Sequence, residues 1–490
     1  MDDVFRNTGA EKIKHPIVFI ILLILSLGFG WVIGTKGIVI GILLFLIPFF
    51  VFYLVVLLQK PKLGFATYLV LSFTAIGIMR YIPGNIPFGL SVDFVLILTF
   101  FSLIFKQWRE LDWSPVRNFL SVIAIIWFLY TALEIVNPQK VSPTIAWVYA
   151  IRGVSLYMLL TVVIGLLLVN KISDFYTFLK LWMFFSLIAT LKGLQQDILG
   201  PDPWEQAALD AGMDVTHIIW GELRVFSFLS DAGQFGASQA HTAVVAGIIA
   251  IGPGKKKTKI IFGLVSLMGV IGMAISGTRG AIAIPGVGGL VYFALSRNMK
   301  VFVLGVLFAA GTFVFLKYTT IAQGNYTVNR MRSSLNPEDP SLQIRLKHQR
   351  WIKEYIKSRP FGVGIGSAGS WGLRFSPNQY ISQIATDSWY VKVYIETGLI
   401  GLLLHIGYLL FIFFKGVQIA WYKVKDPQIR QILLGLLSGY FGLLVASYGN
   451  GILGQLPTGT LVYLSWVFIV KAPELEKQKI NKPEFEDIFK

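Results

Sequence analysis

Long apolar runs recur along this chain from residue 17 to residue 470, with only short polar breaks between them. A buried soluble helix accounts for one such run but not for more than ten in series, whereas a run of roughly 20 apolar residues suits a bilayer crossing. The segments are apolar all round instead of alternating, which argues against an outer-membrane barrel. The composition agrees: 55% of the 490 residues are hydrophobic and only 14% are charged, and the mean hydropathy is +0.66. A water-facing surface needs more charge than that. The expected fold class is an all-α polytopic integral membrane protein with about 14 transmembrane helices and a large, partly helical external loop. The expected spans cover about 17–34, 38–58, 63–79, 90–105, 118–134, 146–169, 176–194, 236–252, 259–275, 280–296, 300–317, 396–416, 430–447 and 457–470.

These spans divide the chain into N-terminal transmembrane helices (1–194), a first external loop (195–235), central helices (236–317), a large basic external loop (318–395), C-terminal helices (396–470) and a cytoplasmic tail (471–490). The charged leader MDDVFRNTGAEKIKH shows no small-residue cleavage site before the first span, so it is read as retained. Orientation follows from basic residues in the short loops. An inside N-terminus places Lys60, Lys62, Lys106, Arg109, Lys171, Lys255, Lys256, Lys257, Arg297, Lys300, Lys423 and Lys425 on the cytoplasmic side. The opposite short loops hold little beyond Arg80, Lys140 and Arg279. The net charge of +17, from 43 Lys and Arg against 26 Asp and Glu, therefore has a membrane explanation and does not call for nucleic acid.

The large loop carries Arg330, Arg332, Arg345, Lys347, Arg350, Lys353, Lys357, Arg359 and Arg374 against few acids. Asp339 and Pro340 suit an N-cap and a first helical position, so SLQIRLKHQRWIKEYIKSR is expected to be a helix that Pro360 stops. Arg350 has Glu354 four residues on and can pair with it, whereas Arg345 has no acid at that spacing and is the better anion ligand. Guanidinium forks bind phosphate oxygens bidentately. Two readings of these charges stay open: a basic surface on anionic headgroups, or a phosphate clamp. Arg279, in SGTRGA at the outer end of a helical hairpin, divides between snorkelling from a loop and a phosphate contact, and Arg224, just before a span, divides similarly.

Other chemistry is sparse. With no cysteine, disulfides, thiol nucleophiles and cysteine-ligated metals are excluded. The histidines at 15, 217, 241, 348 and 405 form no metal-binding spacing, so neither metal nor cofactor is expected. GVGIG lacks both the context of a dinucleotide site and the Walker lysine. NYT at 325 matches a glycosylation acceptor, a pattern common by chance. On one helix, Asp387 and Glu396 would lie half a turn apart, since nine residues at about 100° each end near 180° beyond two full turns. A paired-carboxylate site is not expected.

Four segments, in this order, resemble the O-antigen polymerase and O-antigen ligase superfamily of bacterial envelope enzymes: SGTRGA around Arg279, IRLKHQRW at 344–351, RPFGVGIG at 359–366 and DSWYVKVYIETGLIG at 387–401. The resemblance extends from about Arg224 to near Phe414. It implies a multi-pass protein of the bacterial inner membrane, with cytoplasmic termini and a periplasmic or external loop. It also implies a membrane glycosyltransferase acting on undecaprenyl-diphosphate-linked oligosaccharides, with no nucleotide sugar at the reaction itself. By that likeness Arg224, Arg279, Arg345 and Arg350 would hold the donor diphosphate, and Arg279, Arg345 and Asp387 would be catalytic. Ligases of the superfamily carry a histidine before Asn, Ser or Gln, then nine residues and GxxG. Here the spacing from Ser388 to Gly398 and Gly401 is kept, but the histidine position is Asp387. That substitution favours a polymerase over a ligase and leaves His348, on the loop helix, as the acceptor-side candidate. Expected partners are the lipid-linked saccharides, membrane lipids, and a chain-length regulator or a flippase. The non-enzymatic alternative is a polysaccharide transporter or flippase, though no half-to-half repeat is visible.

Overall fold

The computed structural model describes residues 16–481 other than 37, 83–87, 108–110, 220, 298, 325 and 334–335, and also residue 488. The leader with His15, Arg109, Asn325 of NYT and most of the tail beyond 481 lie outside the described residues. The chain forms two compact units, 1–63 and 64–490. The first holds a hairpin of two apolar helices, α1 (Pro16–Lys36) and α2 (Ile38–Gln59), and Pro48 lies within the second.

Each of the fourteen apolar segments is helical. After α1 and α2 come α3 (Pro61–Met79), α4 (Leu90–Gln107) and α5 (Phe119–Leu133). The next crossing is α6 (Thr144–Ile151) continued through a π-turn at 152–156 into α7 (Tyr157–Leu168), followed by α8 (Ile172–Leu199). Among the described residues, seven helices are long and apolar enough to cross a membrane, and four shorter apolar helices accompany them. The expected count of fourteen crossings is thus not reproduced by length and apolarity, but an all-α membrane protein is what these helices build.

Between residues 200 and 231 the chain forms α9 (Pro203–Ala208), α10 (Asp214–His217) and a two-residue antiparallel hairpin, β1 (Ile218–Ile219) with β2 (Glu222–Leu223). Asp202 starts α9 with a reciprocal capping box: its carboxylate accepts from the Trp204 and Glu205 amides, and Glu205 accepts from the Asp202 amide.

The centre of the larger unit is α11 (Ala232–Ile251), which packs against α8, α12 (Lys256–Ile275), α13 (Ala283–Leu295) and α19 (Pro427–Ala446). Bilayer helices gain little hydrophobic drive from meeting one another, so they rely on close contact and shared hydrogen bonds. Both are present. A Cβ on Gly269 would lie 2.8 Å from the Gln239 carbonyl, so only glycine permits that approach of α12 to α11. The Gln239 side-chain oxygen accepts from Ser186 (2.9 Å) and Thr190 (3.0 Å) of α8, and Trp182 donates to Thr242 at 2.9 Å. Such bonds contribute about 0.6 kcal/mol each in membrane proteins.

The segment between α14 (Met299–Tyr318) and α18 (Trp389–Gln418) contains α15 (Tyr326–Ser333), α16 (Pro340–Ile356) and α17 (Gly369–Phe375). α16 starts as its sequence predicts, with the Asp339 carboxylate accepting from the Leu342 amide at 3.1 Å and Pro340 in the first turn. It ends at Ile356, ahead of Pro360. The segment has its own apolar core, in which Ile352, Ile356, Val363, Ala368, Ile381, Ile384 and Ile395 are buried together. The glycines of GVGIG let this core close: Gly362, Gly364 and Gly366 all have positive φ, and the Val363 amide donates to the Ile395 carbonyl at 2.9 Å. The span expected at 396–416 starts earlier, as one helix, α18, capped by Ser388 and broken at Gly398. The last helix, α20 (Thr458–Asn481), follows α19 after a connection through residues 447–457.

Candidate functional site

Where α11, the turn after α12, α15, α16, the start of α18 and the α19–α20 connection meet, they enclose a cavity of about 770 Å³. Its lining includes Arg224, Arg279, Arg330, Arg345 and Asp387. Four guanidinium groups and a carboxylate, drawn from positions 224 to 387, therefore face one space.

Each cation is held differently. Arg224 follows the β1–β2 hairpin, where its amide donates to the His217 carbonyl at 2.7 Å. Its guanidinium donates to the Thr216 carbonyl and to Thr278 Oγ1, both at 3.0 Å. Arg279 opens a 3₁₀ turn between α12 and α13 and forms an ion pair with Asp339 at 2.6 Å, with a longer bond to Ser333 Oγ at 3.3 Å. The N-cap of α16 is thereby joined to the hairpin turn. Arg345, one turn into α16, lies 3.5 Å from Asp387. The Asp387 side chain is 48% exposed, so the pair is wet and contributes little to stability. Arg330 is 6% exposed and reaches the Gly277 carbonyl at 3.5 Å.

The lining excludes Arg350 and His348. Arg350 is exposed, and His348 packs its ring 5.9 Å from Trp351. Arg350 lies on another face of α16 than Leu342 and Arg345, which line the cavity, whereas His348, three residues beyond Arg345, shares its face but is one turn past the lining. No ion pair joins Arg350 to Glu354 among the described residues. Asp387 and Glu396 are likewise apart: the Glu396 carboxylate accepts from the Gly366 amide at 3.1 Å and braces the glycine turn.

Sequence reasoning singled out Arg224, Arg279, Arg345 and Asp387 but not the remaining polar lining. Arg330 was one of ten cations in its segment, with nothing local to distinguish it. Asp231, Asp339, Tyr448, Asn450 and Gln455 also face the cavity. Asp231 caps α11, accepting from the Gln234 amide at 2.9 Å, and its second oxygen accepts from Ser230 at 2.9 Å. Behind Arg224, burial holds the His217 imidazole below its ordinary value; Arg224 and Arg80 push the same way, and the Met213 carbonyl and Asp231 oppose it.

No group of three or more His, Asp or Glu side chains suited to a metal ion occurs among the described residues. The four arginines of the lining outnumber its three carboxylates, Asp231, Asp339 and Asp387, so the cavity is a water-accessible pocket with a cationic excess fit for an oxyanion, and Asp387 lies beside Arg345.

Comparison with known proteins gives this geometry a context. Residues 264–406, from within α12 to within α18, match the O-antigen ligase family. The chain is also 27% identical over 336 residues to an O-antigen polymerase of Salmonella muenchen, an alignment covering 64% of this chain and 74% of that protein. Across the segments that carry Arg279, Arg345 and Asp387, the chain is thus a membrane protein similar to the O-antigen polymerase and O-antigen ligase superfamily.

Proposed function

We propose that this protein polymerises undecaprenyl-diphosphate-linked oligosaccharide repeat units at the external face of a bacterial inner membrane. The observation that carries the reading is the convergence of Arg224, Arg279, Arg330 and Arg345 with Asp387 on one cavity. In the reaction, an acceptor hydroxyl attacks the donor's anomeric carbon. The new glycosidic bond forms as the carbon–oxygen bond to diphosphate breaks, and the electron pair leaves with the polyprenyl diphosphate. The hydroxyl proton passes to Asp387. The arginines stabilise the charge that grows on the leaving group, and fixed donors of this kind are worth about 10²–10³ in rate each. Arg345, between the clamp and Asp387, holds the carboxylate beside the reacting centre.

The sidedness belongs to this reading and rests on the basic short loops, with fourteen crossings and both termini inside. A flippase that delivers the lipid-linked unit and a regulator of chain length are its expected partners. The test supplies purified full-length protein in nanodiscs with lipid-linked repeat units extracted from its own host. A ladder of longer products without added nucleotide is expected. No elongation with verified donors would overturn the reading.

The match to the O-antigen ligase family supports a second reading, transfer of finished glycan to a lipid or protein acceptor. The product distinguishes the two: a polymerase leaves the lengthened glycan on polyprenyl diphosphate, and a ligase moves it to the other acceptor.

A further inference from the structure

The cavity wall is divided by chemistry. Its cations come from residues 224 to 345, but the α19–α20 connection contributes no charge. There the wall presents Tyr448, Asn450 and Gln455 among small and apolar residues. A diphosphate needs cations. A sugar is a neutral polyol whose hydroxyls both donate and accept, and carboxamides match that pattern because they also do both.

The connection is anchored rigidly. The Trp389 amide donates to the Ser447 carbonyl at 3.0 Å and to the Asn450 carbonyl at 3.3 Å, tying it to the start of α18 just after Asp387. The Asn450 carboxamide rests over Gly280, beside Arg279: a Cβ there would lie 2.0 Å from Asn450 Nδ2. The Gln455 side-chain oxygen accepts from Ser230 at 3.0 Å, which fixes the carboxamide, while its Nε2 makes no hydrogen bond among the described residues. Tyr448 Oη donates to Gln349 Oε1 at 3.4 Å; Gln349 lies outside the lining, and its Nε2 is buried without a hydrogen-bond partner among the described residues. Asn450 Nδ2 has only a long bond to the Ala446 carbonyl, at 3.4 Å, among the described residues. These carboxamides and the Tyr448 hydroxyl are thus fixed in place with donor or acceptor capacity to spare, next to a phosphate clamp, and a bound polyol could use it.

We infer that Tyr448, Asn450 and Gln455 form a saccharide subsite that reads the sugar bonded directly to the donor diphosphate, and so set which repeat unit is accepted. The inference rests on the polymerase reading, because only a diphosphate held by the arginines places that sugar against this wall. The connection lies outside the residues matched to the O-antigen ligase family, whereas Arg279, Arg330, Arg345 and Asp387 lie within them. Clamp and reader are thus carried by different parts of the chain.

The test is competition binding to purified full-length protein in nanodiscs. The probes are undecaprenyl diphosphate alone and its glucose, galactose, N-acetylglucosamine and N-acetylgalactosamine conjugates. The wild type is expected to rank the four conjugates over a range of about tenfold, the size of one or two neutral hydrogen bonds. Asn450→Ala and Gln455→Ala are expected to compress that range to about twofold while undecaprenyl diphosphate alone binds as before. Tyr448→Phe, at a side chain that is 53% exposed and so undemanding of the fold, is expected to compress it partially. If the wild type binds all four alike, or the variants keep its ranking, the subsite is refuted and the clamp stands. If undecaprenyl diphosphate itself does not bind, the polymerase reading and the subsite fall together.

Discussion

At the scale of single residues, charge is used twice. The carboxylate of Asp339 both caps α16 and neutralises Arg279, and both side chains are largely buried. Removing one partner of such a pair leaves the other uncompensated, which costs more than the pair contributes. Arg279→Ala is therefore expected to lower the thermal midpoint in detergent as well as abolish elongation. Adding Asp339→Asn, which keeps an N-cap acceptor, should restore the midpoint while elongation stays lost. Recovery of polymer in the double variant would show that Arg279 serves only the fold. Arg279→Lys should also fail in a polymer-length assay, since an ammonium cannot reproduce the bidentate fork. Asp387→Asn should reduce kcat by about 10²–10⁴ with donor binding kept, the range for loss of a general base. Single-turnover kinetics with bound donor measures that split.

At the scale of elements, α18 is two helices joined by a break, and glycine is what allows it. Gly398 has φ 66°, and a Cβ there would lie 2.0 Å from the Pro360 carbonyl oxygen. The Ile400 amide donates to that same carbonyl at 3.3 Å, so the break docks the glycine turn onto the membrane helix. Gly398→Ala is expected to destabilise by at least the ~1–3 kcal/mol typical of a strained backbone site, read as a lower thermal midpoint and reduced yield. The 203–224 segment carries a different dependence. The folded imidazole of His217 has a lowered pKa, so below its unfolded value of about 6.5 the unfolded state binds more protons. The stability tied to neutral His217 is complete above about pH 6.5 and is lost as pH falls through the folded value. Protection factors of the amides around residues 213–224, corrected for the intrinsic slowing of exchange at lower pH, should fall on acidification across that window, and His217→Gln should flatten the response. An unchanged profile in the variant would assign the dependence to another group.

At the scale of the whole molecule, the absence of cysteine makes sidedness directly measurable. Single cysteines at the exposed positions Lys256 and Ser358 should react with a membrane-impermeant maleimide from opposite sides, Lys256→Cys only after permeabilisation and Ser358→Cys in intact spheroplasts. Labelling of both from one side would overturn the proposed orientation. Much of the architecture was legible beforehand because membrane insertion is a local property. A run of apolar residues must satisfy its own backbone bonds, so each segment from residue 17 to residue 470 could be read as a helix without knowing its neighbours. The Asp339–Pro340 start of α16 was legible for the same reason, since a cap is settled within four residues. The site was only partly so. Arg345 was singled out because it lacked an acid four residues on, yet its partner is Asp387 on another element. Arg350, also expected to hold the diphosphate, lies outside the lining, because one helix cannot aim all its faces at one cavity. Arg330, Asn450 and Gln455 carried no local signal at all. What the sequence determined by itself was the number and helicity of the apolar segments and the chemical types available at their ends. Which ends meet, and hence which arginines share a cavity and which neutral wall faces them, was decided only by helix packing, because contacts such as Gly269 against Gln239 set distances between residues that no local pattern relates.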